Sequence, residues 1–248
     1  MRKTALGLII LGLFLTAAVG RGGEAEENGL PLSAWAEAGF YSKYVWRGLE
    51  ANAKGVFQPE AGISLYGFEA SIWANLDLTD SLDNRGKFTE VDYILSYTRD
   101  FDFLSATLIY LYYDYPNTDE IKTQEAGLIL EAGEEILAAL EIYWDFDQAE
   151  GIYLKPTLGY LIEAGDLLIT PSVGLGWGNG RYNEYYFEEK KNSLVDLDVK
   201  LTAEADIYRG LYLSLTAGYY SLVGSGLRRG LDDGKDGFWG GGALGFAY

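Results

Sequence analysis

The sequence predicts an all-β fold, a transmembrane antiparallel up-and-down β-barrel of about 12 strands. Three observations predict it. Apolar and polar residues alternate in run after run, as in Phe68-Glu-Ala-Ser-Ile-Trp-Ala-Asn-Leu-Asp-Leu78; a period of two is that of a strand whose side chains leave opposite sides of the pleat. The runs are about 10 residues long, enough for a tilted strand to cross a bilayer. The connections between them alternate between tight and long, as in a barrel with periplasmic turns and external loops.

The chain begins with a different pattern. Arg2 and Lys3 precede an apolar run from Ala5 to Leu15, and Ala18-Val-Gly20 offers small residues. These are the regions of a secretory signal peptide over 1–20, with cleavage possible up to 23. Residues 21–32 read as a short periplasmic segment, and 33–248 as the barrel. Without Arg2 and Lys3, the 19 basic residues become 17 against 37 acids, a net charge of −20. Such a chain is a poor partner for nucleic acid, which demands a basic face. With no Cys, no disulfide framework and no lipid attachment at a cysteine are expected.

Strands are expected near 33–46, 56–66, 68–78, 88–99, 103–114, 123–132, 136–146, 152–163, 167–178, 193–207, 211–222 and 238–248. Long polar connections fall at Arg47–Gly55, Thr79–Lys87, Tyr115–Lys122, Asn179–Asn192 and Val223–Gly237, with a shorter one at Asp147–Gly151. Tight ones fall at Gly67, Asp100–Asp102, Gly133–Glu135, Ala164–Asp166 and Tyr208–Gly210. An even strand number leaves both termini on the periplasmic side.

Parity assigns the faces. Val195, Leu197, Val199, Leu201, Ala203, Ala205 and Ile207 stand opposite Asp196, Asp198, Lys200, Thr202, Glu204 and Asp206. A small dry interior cannot hold that many unpaired charges, so the apolar row is expected against lipid and the charged row around a wet lumen. Aromatic residues of the apolar row gather near strand ends, forming two expected interfacial girdles. Tyr44, Phe57, Tyr112, Phe146, Trp177 and Phe238 lie toward the loops, and Phe68, Tyr97 and Tyr248 toward the turns.

The same parity gives a strongly acidic inner wall. Glu37, Glu60, Glu69, Asp77, Glu90, Asp92, Glu125, Glu131, Glu141, Asp145, Glu163, Asp196, Asp198, Glu204 and Asp206 point inward, against Lys43, Lys155 and Lys200. If water passes through, carboxylate rings favour cations. The expected function is passive diffusion of small hydrophilic solutes, cations preferred. A non-conducting structural or adhesive barrel, acting through its external loops, is the alternative. Inward glycines at 174, 176, 178, 241 and 245 leave room for lumen aromatics such as Trp35, Tyr41, Tyr212 and Tyr220 to lean across.

No His and no Cys are present, so neither a Ser-His triad nor a His-based metal site can form. No enzyme and no cofactor are expected. The charge clusters Glu188-Glu-Lys-Lys191 and Arg228-Arg229 read as solvated loop tips. Phe238, Leu244, Phe246 and Tyr248 share one face of the last strand and resemble the C-terminal signal read by the barrel-assembly machinery, one expected partner. Outer-membrane lipid and lipopolysaccharide are the others, and the expected location is the outer membrane of a Gram-negative bacterium.

One stretch is more specific. Tyr41-Ser-Lys-Tyr44-Val-Trp46-Arg47-Gly48, then Phe57-Gln-Pro59, then Trp73-Ala-Asn-Leu-Asp77 resembles the TorF-like (Gcw_chp) family of outer-membrane porins. The likeness covers Gly39 to Leu78 and departs from the family at Lys43 and in the order Gln58-Pro59. It implies an outer-membrane barrel. By parity Arg47 faces the lumen at the rim, as a latch to Glu60 or Glu69 or as a selectivity-setting arginine.

Overall fold

In a computed structural model describing residues 31–80, 83–231 and 233–248, the chain forms a closed antiparallel β-barrel. The expected signal peptide lies outside the described residues, as does nearly all of the segment 21–32. The wall begins with β1 (Leu32–Tyr41). Two short strands, β2 (Tyr44–Trp46) and β3 (Leu49–Asn52), pair only with each other. The wall resumes with β4 (Val56–Leu65), β5 (Phe68–Asp77), β6 (Phe88–Asp100), β7 (Ser105–Asp114), β8 (Thr123–Ala132), β9 (Ile136–Asp145) and β10 (Ile152–Tyr160). It is completed by β11 (Ile162–Ala164), β12 (Leu167–Gly178), β13 (Ser193–Tyr208), β14 (Leu211–Leu222) and β15 (Asp236–Ala247). Because β11 continues β10 along the same neighbour, β12, the 13 segments of the sheet make twelve wall strands.

The barrel closes between its first and last strands. Trp35 stands opposite Ala247 and Tyr41 opposite Gly241, and Ala34 and Tyr248 exchange backbone hydrogen bonds of 3.0 and 2.9 Å. Closure leaves no open sheet edge. Tyr66-Gly67 and Arg209-Gly210 all have positive φ, the backbone of two-residue turns whose twist matches the strands they join. The outer face is apolar: Phe40, Ile63, Leu95, Leu108, Leu201 and Leu215 are 50–61% exposed. In water such a continuous surface costs about 25 cal/mol per Å², so it is matched to hydrocarbon. Aromatic pairs mark both margins, with Phe40–Phe57, Tyr93–Tyr112 and Tyr219–Phe238 at the long-loop end and Phe68–Tyr97 at the turn end. Among the described residues no helix is long and apolar enough to cross a membrane.

The structure corrects four expectations about the wall. The first wall strand stops at Tyr41, not at residue 46. Tyr44 therefore belongs to no outer girdle; it is buried inside, its ring centroid 5.5 Å from that of Trp73. Val195 leaves the outward row because the register between β12 and β13 shifts there, turning Val195 and Asp196 both inward; such a bulge puts two residues opposite one. Glu163 and Asp206, near the turn end, are exposed rather than enclosed.

Candidate functional site

The interior is built by the wall and by three of the long connections, folded back into it. The largest intrusion is the β2–β3 hairpin. At its tip Trp46 pairs with Leu49 around Arg47 (φ 45°) and Gly48 (φ 82°), the same backbone as the two wall turns. A Cβ on Gly48 would stand 2.6 Å from the Cβ of Asp196 on β13. The tip thus reaches across the barrel from the end of β1, and only glycine fits there. The second intrusion is α1 (Gly180–Phe187), whose N-cap Asn179 accepts a 3.0 Å hydrogen bond from the Tyr182 backbone. It lays Tyr182 on Tyr153 and Tyr186 on Trp46, with ring centroids 5.3 and 5.0 Å apart. The third is a short 3-10 helix, Leu227–Arg229, which buries Leu227.

These loops place Arg47 in a cage. Its guanidinium donates to both oxygens of Glu125 on β8, at 2.8 and 2.6 Å, in the bidentate geometry that matches a planar fork to a carboxylate. The Tyr113 hydroxyl donates to the same carboxylate at 3.0 Å. The guanidinium carbon lies 4.5, 4.4 and 4.6 Å from the ring centroids of Trp46, Tyr143 and Tyr153, within cation–π range. Arg47 is 5% exposed and Glu125 0%. Asp145, directly opposite Glu125 in the sheet, is answered instead by the Thr123 hydroxyl and by backbone N–H groups of Asp147 and Gln148. Like charges directly opposite each other repel, and Arg47 offsets that repulsion at Glu125. The expected partners Glu60 and Glu69 are not those of Arg47: the hairpin carries it past their wall to the opposite one.

A second cation centre lies beside the first. Lys155 on β10 is 2% exposed, with Asp196 at 3.4 Å and Asp198 at 3.7 Å. Tyr153 donates to Asp196 at 2.7 Å, and Lys200 approaches Asp198 at 3.1 Å. Glu141 stands opposite Lys155 in register. Two inward glycines of β12 serve this centre: a Cβ on Gly174 would meet the Lys155 stem, and one on Gly176 would meet Asp196, whereas one on Gly178 would meet Asn183 and Tyr182 of α1. In β15, by contrast, Gly241 and Gly245 lie under the rings of Tyr41 and Tyr212.

The wall of β1, β4, β5 and β6 is acidic. Glu37 and Glu60 are directly opposite each other; Tyr212 donates to Glu37 at 3.0 Å and Ser71 to Glu60 at 3.2 Å. Trp35 donates to Glu69 and Asn75 to Asp77. Glu90 and Asp92 are buried, and one oxygen of Asp92 has no hydrogen-bond partner among the described residues. No Lys or Arg among them pairs with Glu60, Glu69, Glu90 or Asp92. Glu131 and Glu204 are buried nearer the turn end. The interior charge is therefore segregated, basic groups toward β8, β10 and β13 and, among the described residues, acids without Lys or Arg partners toward β4 to β6.

Between these sectors lies a cavity of about 30 Å³, lined by Arg47, Glu60, Glu141, Tyr143, Lys155 and the aliphatic Ile94, Ile109 and Leu111 among others. It has room for about one or two waters. The acids that parity placed around a wet lumen surround an interior largely filled by side chains, with a buried cluster including Tyr44, Trp73, Tyr113, Tyr153, Phe187 and Leu227. The two loop charge clusters are also paired rather than merely solvated, since Arg229 faces Glu189 at 3.7 Å and Arg228 bonds Asp236 at 2.7 Å.

Solved outer-membrane porins share this architecture. The KdgM porin superposes with a TM-score of 0.51 at 10% identity, covering 87% of this chain and 99% of that one. The NanC porin gives 0.51 at 12% identity, covering 86% and 98%. The COG4313 outer membrane channel from Pseudomonas putida F1 gives 0.54 at 10% identity, covering 87% and 95%. At these identities the likeness is one of fold. No family model and no curated protein matches the sequence.

Proposed function

We propose that this chain is an outer-membrane channel of porin-like build that passes small hydrophilic cations and is shut, in the conformation described, by the β2–β3 hairpin. The observation that carries the reading is the inner charge. Glu60, Glu69, Glu90 and Asp92 line one wall with no Lys or Arg partner among the described residues, and a path along them would favour cations. The same charge argues against acidic sugars as solutes, although one porin of the same fold is described in complex with oligogalacturonate. The hairpin suits a gate because its backbone pairs only with itself. The apolar exterior and closed sheet support the outer membrane of a Gram-negative bacterium as the location, with its lipid and lipopolysaccharide as surroundings and the barrel-assembly machinery engaging β15. Kinship with the TorF-like family belongs to the same proposal. Its support is that Tyr44, Trp46, Arg47, Gly48 and Trp73 of the motif converge on the interior hairpin, while Asp77 is buried at the end of β5 and Pro59 interrupts the β4–β5 ladder.

The packed interior favours a second reading, a non-conducting barrel acting through its outer loops. Planar-bilayer recording of the wild type and of a variant with residues 43–53 replaced by a short Gly-Ser link separates the two. The channel reading expects rare openings in the wild type, steady conductance in the variant, and a reversal potential favouring potassium over chloride. Silence from both proteins would establish the second reading. Conductance with anion preference would overturn the assignment of cations.

A further inference from the structure

The cage around Arg47 consists of two unequal parts. Tyr113, Glu125, Tyr143 and Tyr153 belong to four successive wall strands, β7 to β10, and are fixed by the barrel ladder. The guanidinium that fills them comes from a hairpin that is not part of that ladder. Its backbone position is one at which a two-residue turn prefers Asn or Gly, and Arg there carries a steric penalty those residues would not. The same turn position holds Tyr66 and Arg209 elsewhere in the barrel, so the turn tolerates arginine without selecting it; at residue 47 the cage does the selecting. A carboxylate held for bidentate contact, with two tyrosine faces at 4.4 and 4.6 Å, selects a planar cation over a compact ammonium. The adjoining cavity of about 30 Å³ would grow by the volume of the arginine side chain on its departure.

We propose that Tyr113, Glu125, Tyr143 and Tyr153 form a binding site for solutes bearing a guanidinium group, and that Arg47 occupies it as a tethered substitute which such a solute displaces. Displacement would free the hairpin tip and open the path along the acidic wall; this second half rests on the channel reading, whereas binding at the cage does not.

The test uses the Arg47→Ala full-length barrel in detergent at constant ionic strength, with methylguanidinium as probe and methylammonium as control. Methylguanidinium at millimolar concentration is expected to raise the midpoint of the heat-induced gel shift saturably. It should bind about tenfold more tightly than methylammonium, and Glu125→Gln in the same background should abolish the difference. If Arg47→Ala does not refold alone, refolding restored by methylguanidinium and not by methylammonium is the expected result. Equal effects of the two cations, in stability or in refolding yield, would overturn the site. Bilayer recording separates the two ideas: a variant that binds methylguanidinium but never conducts keeps the site and removes the channel, and a conducting variant indifferent to it does the reverse.

Discussion

Breaking the Arg47–Glu125 pair should cost far more than deleting it. Both groups are almost fully buried and joined by two hydrogen bonds of 2.8 and 2.6 Å. Glu125→Leu leaves a buried guanidinium without its counter-charge, a change that costs about 3–5 kcal/mol at buried pairs. Arg47→Met leaves Glu125 uncompensated and facing Asp145 across the ladder, with a cost of about the same size. In Arg47→Met/Glu125→Leu neither charge remains, and carrying Tyr113→Phe in all four corners keeps that hydroxyl from being left without its acceptor. Replacement of a buried pair by apolar groups is often neutral or stabilising by about 1–4 kcal/mol, while the lost cation–π contacts remove about 2 kcal/mol. The double variant should therefore lie within about 2 kcal/mol of the Tyr113→Phe parent, with a coupling energy of at least about 4 kcal/mol. Urea titration in lipid vesicles, followed by the fluorescence of the six tryptophans, measures all four corners of the cycle. An additive cycle, with coupling under about 0.5 kcal/mol, would refute the view that Arg47 and Glu125 act as a unit.

Lys155→Met should destabilise the barrel by about 3–5 kcal/mol because Asp196 and Asp198 lose their buried cation; the more exposed Lys200→Met should cost clearly less in the same titration. Gly48→Ala combines a positive φ with a Cβ driven against Asp196 and Leu222. It should expel the hairpin tip, seen as new protease cleavage between residues 42 and 55, and an uncleaved variant would contradict the fit argued for Gly48. Gly245→Ala pushes against the Tyr212 ring and should cost about 1–3 kcal/mol, relieved by Tyr212→Leu in the same chain. Glu50 gives a pH dependence: burial alone would raise its pKa, but hydrogen bonds from Lys43 and Tyr220 and the Lys43 charge hold it below the usual carboxylate range. Its contribution is thus complete above the unfolded value of about 4.3 and is lost as pH falls through the lower folded value. Acid should loosen the hairpin in the wild type, and Glu50→Gln should flatten that response in hydrogen exchange of residues 44–52.

Much of the wall was legible because a barrel strand is a local code. Alternation fixes which side chains share a face, and turn length fixes which end is which, so β4 to β14 fall close to where periodicity puts them. The interior was less legible, for two different reasons. Arg47-Gly48 carries the same residue-then-glycine turn signal as Tyr66-Gly67 and Arg209-Gly210, flanked by short apolar runs. That signal was present, but continuing the strand period through Ser42 and Lys43 hid it. Likewise Asn179 ahead of Tyr182, Tyr186 and Phe187 is a capped helix with one buried face. The pairing of Arg47 with Glu125 has no local trace, since 78 residues separate them and only closure of the sheet brings their strands face to face.

That difference also explains why parity did not foresee the side chains packed inside the barrel. Parity sorts residues into inside and outside, and an inside rich in carboxylates reads as wet because unpaired buried charge is costly. Each external connection adds donors and rings that parity does not count. The β2–β3 hairpin brings a guanidinium, α1 brings Tyr182 and Tyr186, and the 3-10 helix brings Leu227. Arg47 meets Glu125 of β8 and Tyr186 meets Asp145 of β9, while the carboxylates of β4 and β5 are left to neutral donors such as Ser71 and Trp35. An acidic wall with no Lys or Arg partner among the described residues is what the proposed cation path requires. Were the barrel purely structural, nothing would oppose replacing Glu60, Glu69 and Asp92 by Gln and Asn, and relief of like-charge repulsion at the Glu37–Glu60 pair should make that variant at least as stable as the wild type. A triple variant that is more stable yet loses potassium selectivity would show that these acids are retained for conduction; one that is less stable would show that they hold the wall together.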